Sequence, residues 1–233
     1  MTAAIHRDVI ALANPVRAKH SQRFFKTGPG EYGHGDRFLG LSVPQVRALE
    51  SKHRSASLTT LTRLLRSKWH EERLLALIIL VRQYRSAGAS EREAIFRLYL
   101  RSTDYINNWD LVDCSAWQIV GAHLAGGGRA RLVRLARSKS LWERRIAIIA
   151  TAYYINHGEF GDTLKMARIL RDDPHDLIHK AVGWMLREVG KRDRAVEEKF
   201  LRQHAARMPR TMLRYAIEKF PQALRRRYLR TTS

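Results

Sequence analysis

The sequence predicts an all-α protein built as a helical-repeat solenoid. Apolar residues recur at three- and four-residue spacing from Val9 onward, whereas the alternating pattern of strands is scarce. Five similar segments consist of a polar residue followed by a mostly apolar run, and they begin at Arg73, Asp113, Arg145, Lys180 and Arg214. These starting positions are 40, 32, 35 and 34 residues apart. A near-constant period of this size is typical of stacked helical repeats.

The predicted elements follow in chain order. A helical region is expected over roughly residues 3–26, and the glycine-rich stretch 27–36 cannot continue it. Val43 and Pro44 predict the start of the next helix, because a proline in the first turn loses no hydrogen bond. Helix pairs then follow to the end of the chain, separated by turn residues at 87–88, 126–128, 158 and 172–174.

Length and charge limit the function classes. One elongated domain over residues 1–233 fits the length better than two compact ones. The chain has 43 Lys and Arg against 22 Asp and Glu, a formal charge of +21, while 45% of its residues are hydrophobic. So large a charge on a chain able to fold predicts a polyanionic partner, with nucleic acid the leading candidate. A packing protein whose charge is its whole function is the competing interpretation, and the patterned core argues against it.

Other residue types restrict the compartment and the chemistry. Cys114 is the only cysteine, which excludes an intramolecular disulfide and a cysteine-rich zinc module. The longest apolar run, 74–81, is too short to cross a bilayer, and the N-terminus lacks a signal-peptide pattern. His175 and His179 have a spacing able to hold a metal, but no third ligand is evident. We therefore expect a cytoplasmic protein with no membrane, metal or cofactor partner.

Asp113 is the one acid at a repeat position that otherwise carries Arg or Lys. Equivalent positions in a solenoid share a face, so Arg73, Arg145, Lys180 and Arg214 are expected to form a basic stripe. A carboxylate within a phosphate-binding stripe is explained if positive charge develops beside it, as on the sugar when an N-glycosidic bond breaks. At about 4 Å and an effective dielectric of about 20, this attraction is on the order of 4 kcal/mol.

Two tryptophans accompany the stripe positions. Trp109 lies four residues before Asp113, and Trp184 lies four residues after Lys180, so each pair shares one helical face. Tryptophan at helical spacing is usually a core residue, and the pairing makes core and site roles about equally favoured. At a site, each indole face would add cation–π stabilisation of about 1 kcal/mol.

Three segments resemble the AlkD-type DNA alkylation repair glycosylases: 108–113, 142–145 and 178–188. The likeness extends from Arg23 to Ile217. It implies a right-handed α-α superhelix of HEAT-like repeats with a concave basic groove. It also implies excision of N3- and N7-alkylated purines from duplex DNA in base excision repair. No lysine is placed convincingly as a Schiff-base nucleophile, which favours a monofunctional glycosylase without strand cleavage, and no cofactor is expected. Such an enzyme would be nucleoid-associated when bound to DNA, and we expect a monomer.

The resemblance also implies roles for single residues. Asp113 is the implied catalytic carboxylate, with Trp109 and Trp184 against the deoxyribose and Arg145 on the DNA backbone. Glycosylases of this kind carry a tyrosine near the N-terminus where this chain has Phe24, or Phe25 if the alignment shifts by one. The residues expected on DNA are Phe24, Arg73, Arg145, Lys180, Arg187 and Arg214.

Two other function classes remain open from the sequence. A non-catalytic HEAT-repeat protein that binds duplex or unusually shaped DNA would keep its salt-dependent affinity in Asp113→Asn and release no base. A scaffold for RNA or acidic proteins would not prefer duplex DNA, and Trp109 and Trp184 would then be core residues.

Overall fold

The computed structural model describes residues 2–230, which form helices joined by short turns. Within this range no strand forms, and the only strand-like pairing is an isolated bridge between Arg37 and Trp69. The all-α prediction is therefore confirmed. Contacts divide the chain into two compact units, Met1–Ser115 and Ala116–Ser233. The single domain over residues 1–233 stays a prediction.

The helices of the first unit pack around α5. They are α1 Thr2–Ala11, α2 Pro15–Phe24, α3 Val43–His53, α4 Leu58–Leu65, α5 His70–Ser86, α6 Ala89–Arg101 and α7 Trp109–Asp113, with a 3-10 turn at Thr103–Tyr105. Helices α1, α3, α4, α6 and α7 all contact α5. Because α5 is covered on several sides, its central stretch 74–81 is apolar all round, and Leu75, Leu77 and Leu80 are fully buried.

Helix α2 differs from its neighbours because none of its side chains is buried. It begins at Pro15, and the Asn14 side chain caps it by accepting a hydrogen bond from the Arg17 backbone N–H at 2.9 Å. This start corrects the prediction of one helical region over 3–26. The chain instead breaks at residues 12–14, since Pro15 has no N–H with which to continue α1. The stretch 27–36 contains no helix, as predicted.

The second unit begins with a π-helical turn at Trp117–Gly121. It continues with α8 Ala122–Ala125, α9 Ala130–Ala136, α10 Leu141–Ala150, α11 Ala152–Asn156, α12 Gly161–Leu170, α13 Asp176–Arg192, α14 Arg194–His204, α15 Arg210–Ala216 and α16 Gln222–Arg230; 3-10 turns at Ala205–Arg207 and Ile217–Lys219 precede and follow α15. Helix α13 is its central element and contacts α10, α12, α14 and α15.

Gly183 explains how closely α13 and α15 approach. A Cβ atom at this position would lie 2.4 Å from the Met212 carbonyl oxygen and 2.5 Å from the Tyr215 Cβ. Only a residue without a side chain fits between the two helices, which accounts for the glycine three residues after Lys180.

The predicted helix boundaries are otherwise confirmed. Helix α3 begins at Val43 with Pro44 in its first turn, and its Ser42 cap bonds with Gln45. The turns at 87–88, 126–128, 158 and 172–174 all lie between helices. Among the helices that the structure describes, none combines the length and hydropathy that a bilayer-spanning segment requires.

Candidate functional site

The first turn of α5 carries four consecutive polar residues that are all buried: His70, Glu71, Glu72 and Arg73. Glu71 accepts hydrogen bonds from the backbone N–H groups of residues 39, 40 and 41, at 2.7 to 3.2 Å. Glu72 accepts from Ser67 and is bound by His6 at 2.6 Å. This turn therefore fixes the segment that precedes α3 and one end of the core, because each buried charge has a specific partner.

His70 joins two carboxylates that are far apart in the sequence. Its Nδ1 lies 2.8 Å from Asp36 Oδ2, and its Nε2 lies 2.7 Å from Asp110 Oδ2. Asp36 is also bound by the Arg73 guanidinium at 2.6 Å and, more weakly, by the Asn108 side-chain amide at 3.4 Å. We call Asp36, His70, Arg73 and Asp110 the buried charge network.

The electrostatics of this network favour a doubly protonated imidazole. Burial by itself would lower the pKa of His70, but the charge and hydrogen bond of Asp110, together with those of Asp36, raise it to about 9. The pKa of Asp36 is shifted downward. Burial acts to raise it, but the hydrogen bonds and charges of His70 and Arg73 outweigh burial and hold the pKa below its ordinary value. At neutral pH both ring nitrogens of His70 therefore donate, each to one carboxylate.

Aromatic rings cover the network. Phe38 stacks on the His70 ring with centroids 4.4 Å apart, and Phe25 stacks on Phe38 at 4.9 Å. Phe25 also stacks on Trp109 at 5.2 Å, with an interplanar angle of 18°. Phe24 meets Trp109 edge-on at 5.9 Å. We call Phe24, Phe25, Phe38 and Trp109 the aromatic cluster.

Phe24 and Phe25 are thereby distinguished. Phe24 is 57% exposed, whereas Phe25 is half-buried between Phe38 and Trp109. The segment after them is held close, because a Cβ atom on Gly33 would lie 2.4 Å from the Phe25 carbonyl oxygen. Of the two phenylalanines, Phe24 is the one that presents its ring to solvent beside Trp109.

Helix α7 carries the pair that the sequence singled out, Trp109 and Asp113, one turn apart. The helix has only five residues and is capped by Asn108, whose side chain accepts from the Trp109 N–H at 2.9 Å. Asp113 is its last residue and is half-buried. The neighbouring Cys114 thiol has a raised pKa, first through burial and then through the charges of Asp110 and Asp113. A neutral thiol next to the carboxylate is a packing group and not a nucleophile.

Arg73 lies inside the first unit. Its side chain is 5% exposed, and its guanidinium is held by Asp36 and by the Ser67 carbonyl oxygen at 2.9 Å. A charge already paired in the interior has little capacity to attract a phosphate, so this geometry favours a supporting role for Arg73.

The remaining stripe residues lie on helices of the second unit. Arg145 on α10 is buried, and its Nη1 donates to the Leu177 carbonyl oxygen at 2.5 Å. Lys180 on α13 is partly exposed and pairs with Asp176 at 2.7 Å. Arg214 on α15 is exposed. Lys180 and Arg214 therefore present their charges to solvent more than Arg145 does.

Trp184 lies one turn after Lys180 on α13, as its spacing predicts. It is half-buried, and its Nε1 donates to Glu188 at 3.1 Å. Arg187 pairs with Glu218 and, at 3.6 Å, with Glu188. Beside them lies an open cavity of about 430 Å³ that is lined by Trp117, Ile149, Ala152, Ile155, Asn156, Trp184, Met185, Arg187, Glu188 and Lys191.

Two features were missed by reasoning from the sequence. The buried charge network involves residues more than thirty positions apart, and the polar start of α5 is typical of a solvated helix terminus, so no local signal indicates it. The second feature is the exposed basic surface of α2, with Arg17, Lys19 and Arg23, which ends at Phe24. Its density of cations could have indicated this surface.

Comparison with known proteins finds a matching family model and matching solved structures. A model of the family described as "DNA alkylation repair enzyme" matches residues 5–220. A solved chain described as a "predicted DNA alkylation repair enzyme from Enterococcus faecalis" superposes with a TM-score of 0.68 at 17% identity, covering 90% of this chain and 97% of that chain. At this identity the likeness shows the fold, and it bears out the all-α repeat fold; the concave basic groove stays a prediction. No curated protein matches the sequence.

Proposed function

Since the chain belongs to the family of DNA alkylation repair enzymes, with DNA as substrate, we propose that it is a monofunctional DNA N-glycosylase. The proposed substrates are positively charged N3- and N7-alkylated purines in duplex DNA. Such a base departs as a neutral molecule, so it needs little acid catalysis from the protein. A single carboxylate at the reacting sugar is then sufficient for the chemistry.

The observation that carries the proposal is the pair Trp109 and Asp113 on α7. Asp113 is half-buried, where a carboxylate interacts more strongly with a nearby charge than it does in water. We propose that Asp113 stabilises the oxocarbenium-like sugar while the C1′–N bond breaks and its electron pair leaves with the purine. Asp113 then accepts the proton of the attacking water, and a hydroxyl group is left on C1′.

Residues on both units are proposed to contact the DNA. In the first unit, Trp109 is proposed to pack against deoxyribose, with Phe24 as an exposed aromatic edge beside it. In the second unit, Trp184 is the residue that the sequence predicts for a deoxyribose contact. Phosphates would be bound by Lys180 and Arg214 at the surface and by the partly exposed Arg187. The sequence predicts Arg145 on the DNA backbone, but this side chain is as buried as Arg73 and donates to the Leu177 carbonyl oxygen, so we expect its effect on DNA to be indirect. Arg73 is assigned to holding Asp36, and we expect its effect on DNA to be indirect.

The test is release of free base from two substrates, a duplex containing N7-methylguanine and methylated genomic DNA containing N3-methyladenine. Asp113→Asn is compared with wild type at DNA concentrations that saturate both proteins. Asp104→Asn removes an exposed carboxylate of the same unit and serves as the matched control. We expect the rate to fall roughly a thousandfold in Asp113→Asn, in line with the loss of about 4 kcal/mol of charge stabilisation, and to be unchanged in the control.

Binding without base release would place the protein in a different functional class. If wild type binds duplex DNA with a steep salt dependence but releases neither base, the protein is a DNA-shape binder and the glycosylase proposal is wrong. The resemblance implies a tyrosine where this chain has Phe24 or Phe25, and this difference makes the alternative worth testing.

A further inference from the structure

We propose that His70 is a positioning residue for the base-release reaction: by bridging Asp36 and Asp110 it fixes α7, and with α7 the side chains of Trp109 and Asp113. This inference deepens the proposed function and rests on it. His70 itself does not touch the substrate, so its effect passes through the helix that carries the proposed catalytic pair.

The His70 ring is held in one orientation by its neighbours. Both ring nitrogens are engaged by carboxylates, at 2.8 and 2.7 Å, and the side chain is 2% exposed. One face stacks on Phe38 at 4.4 Å, and the Phe25 ring lies 5.1 Å away. A ring fixed by two hydrogen bonds and by stacking can hold the position of whatever it binds.

Helix α7 depends on contacts with other elements for its position. A helix of five residues has little stability of its own. Asp110 lies in its first turn; Oδ2 is bound to His70, while the buried Oδ1 makes no hydrogen bond in the structure. The His70 contact is thus the principal polar anchor of that carboxylate, and Trp109 and Asp113 lie on either side of it in the same short helix.

The charge of His70 also contributes to the bridge between Asp36 and Asp110. The charged groups facing the imidazole are Asp36 from the segment before α3, Asp110 from α7 and, through Asp36, Arg73 from α5. Glu71 and Glu72 on the same turn are turned to other partners. If His70 loses its proton, Asp36 keeps Arg73, whereas Asp110 loses the cation that balances it. The neutral imidazole keeps only one N–H and can no longer donate to both carboxylates, so neutralising His70 should weaken the bridge that holds α7.

The experiment compares His70→Gln with a matched control, His53→Gln, which breaks a similar histidine–carboxylate pair between His53 and Asp8 at 2.7 Å. Single-turnover base release, duplex affinity and thermal unfolding are measured for both. We expect His70→Gln to slow the chemical step roughly ten- to a hundredfold, the scale of a misplaced catalytic group, while duplex affinity changes little. His53→Gln should leave the chemical step unchanged.

Two further arms separate positioning from folding. The double variant His70→Gln/Asp110→Asn removes the charge that His70 balances, and it should recover part of the lost rate. The rate of wild type, corrected for spontaneous base loss with Asp113→Asn, should fall as the pH passes about 9, whereas His70→Gln should lack this fall. Two results would contradict the proposal. One is that folded His70→Gln releases base as fast as wild type. The other is that its rate falls only in proportion to the unfolded fraction, and that adding Asp110→Asn recovers none of the rate.

A readout without catalysis distinguishes this failure from that of the proposed function. The fluorescence of Trp109, obtained as the difference between wild type and Trp109→Phe, should change with a midpoint near pH 9 in wild type but not in His70→Gln. If wild type releases no base, this titration tests the coupling of His70 to α7 by itself. A change in Trp109 fluorescence near pH 9 that is absent from His70→Gln supports the coupling, and a signal that does not change with pH contradicts it.

Discussion

Arg73 and Asp36 form a buried ion pair in which the guanidinium nitrogen lies 2.6 Å from the carboxylate oxygen. The repeat pattern predicts that Arg73, like Arg145, Lys180 and Arg214, faces phosphate as part of the basic stripe. In the folded chain its charge is used inside the first unit, where it secures the carboxylate that also binds His70.

Replacing Arg73 should therefore affect folding before it affects DNA binding. We expect Arg73→Met to lower the free energy of unfolding by about 3–5 kcal/mol, because it removes one partner of a buried pair. Chemical denaturation checks this value. The exposed Arg214 is the contrast: Arg214→Ala should leave stability unchanged and weaken duplex binding, with a shallower salt dependence. If Arg73→Met is as stable as wild type and only its DNA affinity falls, Arg73 contacts DNA directly and this prediction is wrong.

Replacing Phe25 should likewise affect stability, whereas replacing Phe24 should affect DNA binding. Phe25→Ala removes a ring packed between Phe38 and Trp109, and we expect it to reduce stability by about 3 kcal/mol or more. Phe24→Ala removes an exposed ring, so its unfolding curve should overlay that of wild type while duplex affinity falls. Phe24→Tyr keeps the ring and should bind at least as well as wild type. Equal destabilisation by both alanine variants would contradict the difference in their environments.

Gly183→Ala should destabilise the second unit although alanine is the better helix former. The added methyl would lie 2.4 Å from a backbone oxygen of α15, and backbone cannot move aside cheaply. Overpacking of this kind costs about 1–3 kcal/mol, more than the helix propensity returns. Gly161→Ala, at the start of α12 with nothing within 4 Å, is the control and should be neutral or slightly stabilising. Thermal unfolding of the two variants gives the comparison.

Glu197 should make the protein less stable as the pH rises. Burial is the main cause that raises the pKa of this carboxyl to about 8, and the charge of Glu198 adds to it. A carboxyl whose pKa is higher in the folded state than in the unfolded one, where it is near 4.5, contributes stability at low pH that is lost between about pH 4.5 and 8.

Glu197→Gln should remove that dependence and raise stability at pH 8. Glu159→Gln, which removes an exposed carboxylate of the same unit paired with Arg129, should not reproduce the gain. Denaturant unfolding at pH 5 and pH 8 tests both variants. The prediction fails if Glu197→Gln is less stable than wild type at pH 8.

Much of the fold could be predicted because its signals are local. Pro44, the glycines at 126–128 and the Asp172–Pro174 turn each act on the backbone where they stand, and the apolar spacing marks the buried faces. The same holds for Trp109 and Asp113, whose spacing alone places them on one helical face. The break before Pro15 was missed although its cause, a proline preceded by a capping asparagine, is also local.

What could not be predicted depends on contacts between distant segments. Whether a polar residue at a helix start is solvated or buried is decided by what packs over it, and for His70 that is Phe38 and the carboxylates at 36 and 110. Likewise, Arg73 and Lys180 occupy equivalent places in the repeat, yet one is enclosed and the other partly exposed. A repeat pattern gives the register of such residues but not their environment.

Helix α2 buries none of its side chains, and this affects its local stability. Without buried apolar contacts, a segment opens at a small fraction of the free energy needed to unfold the whole domain. The amide hydrogens of α2 should therefore exchange with solvent long before those of α5, whose residues form the core. The helix that ends in the exposed Phe24 is thus expected to have a lower local stability than the core helix of the same unit.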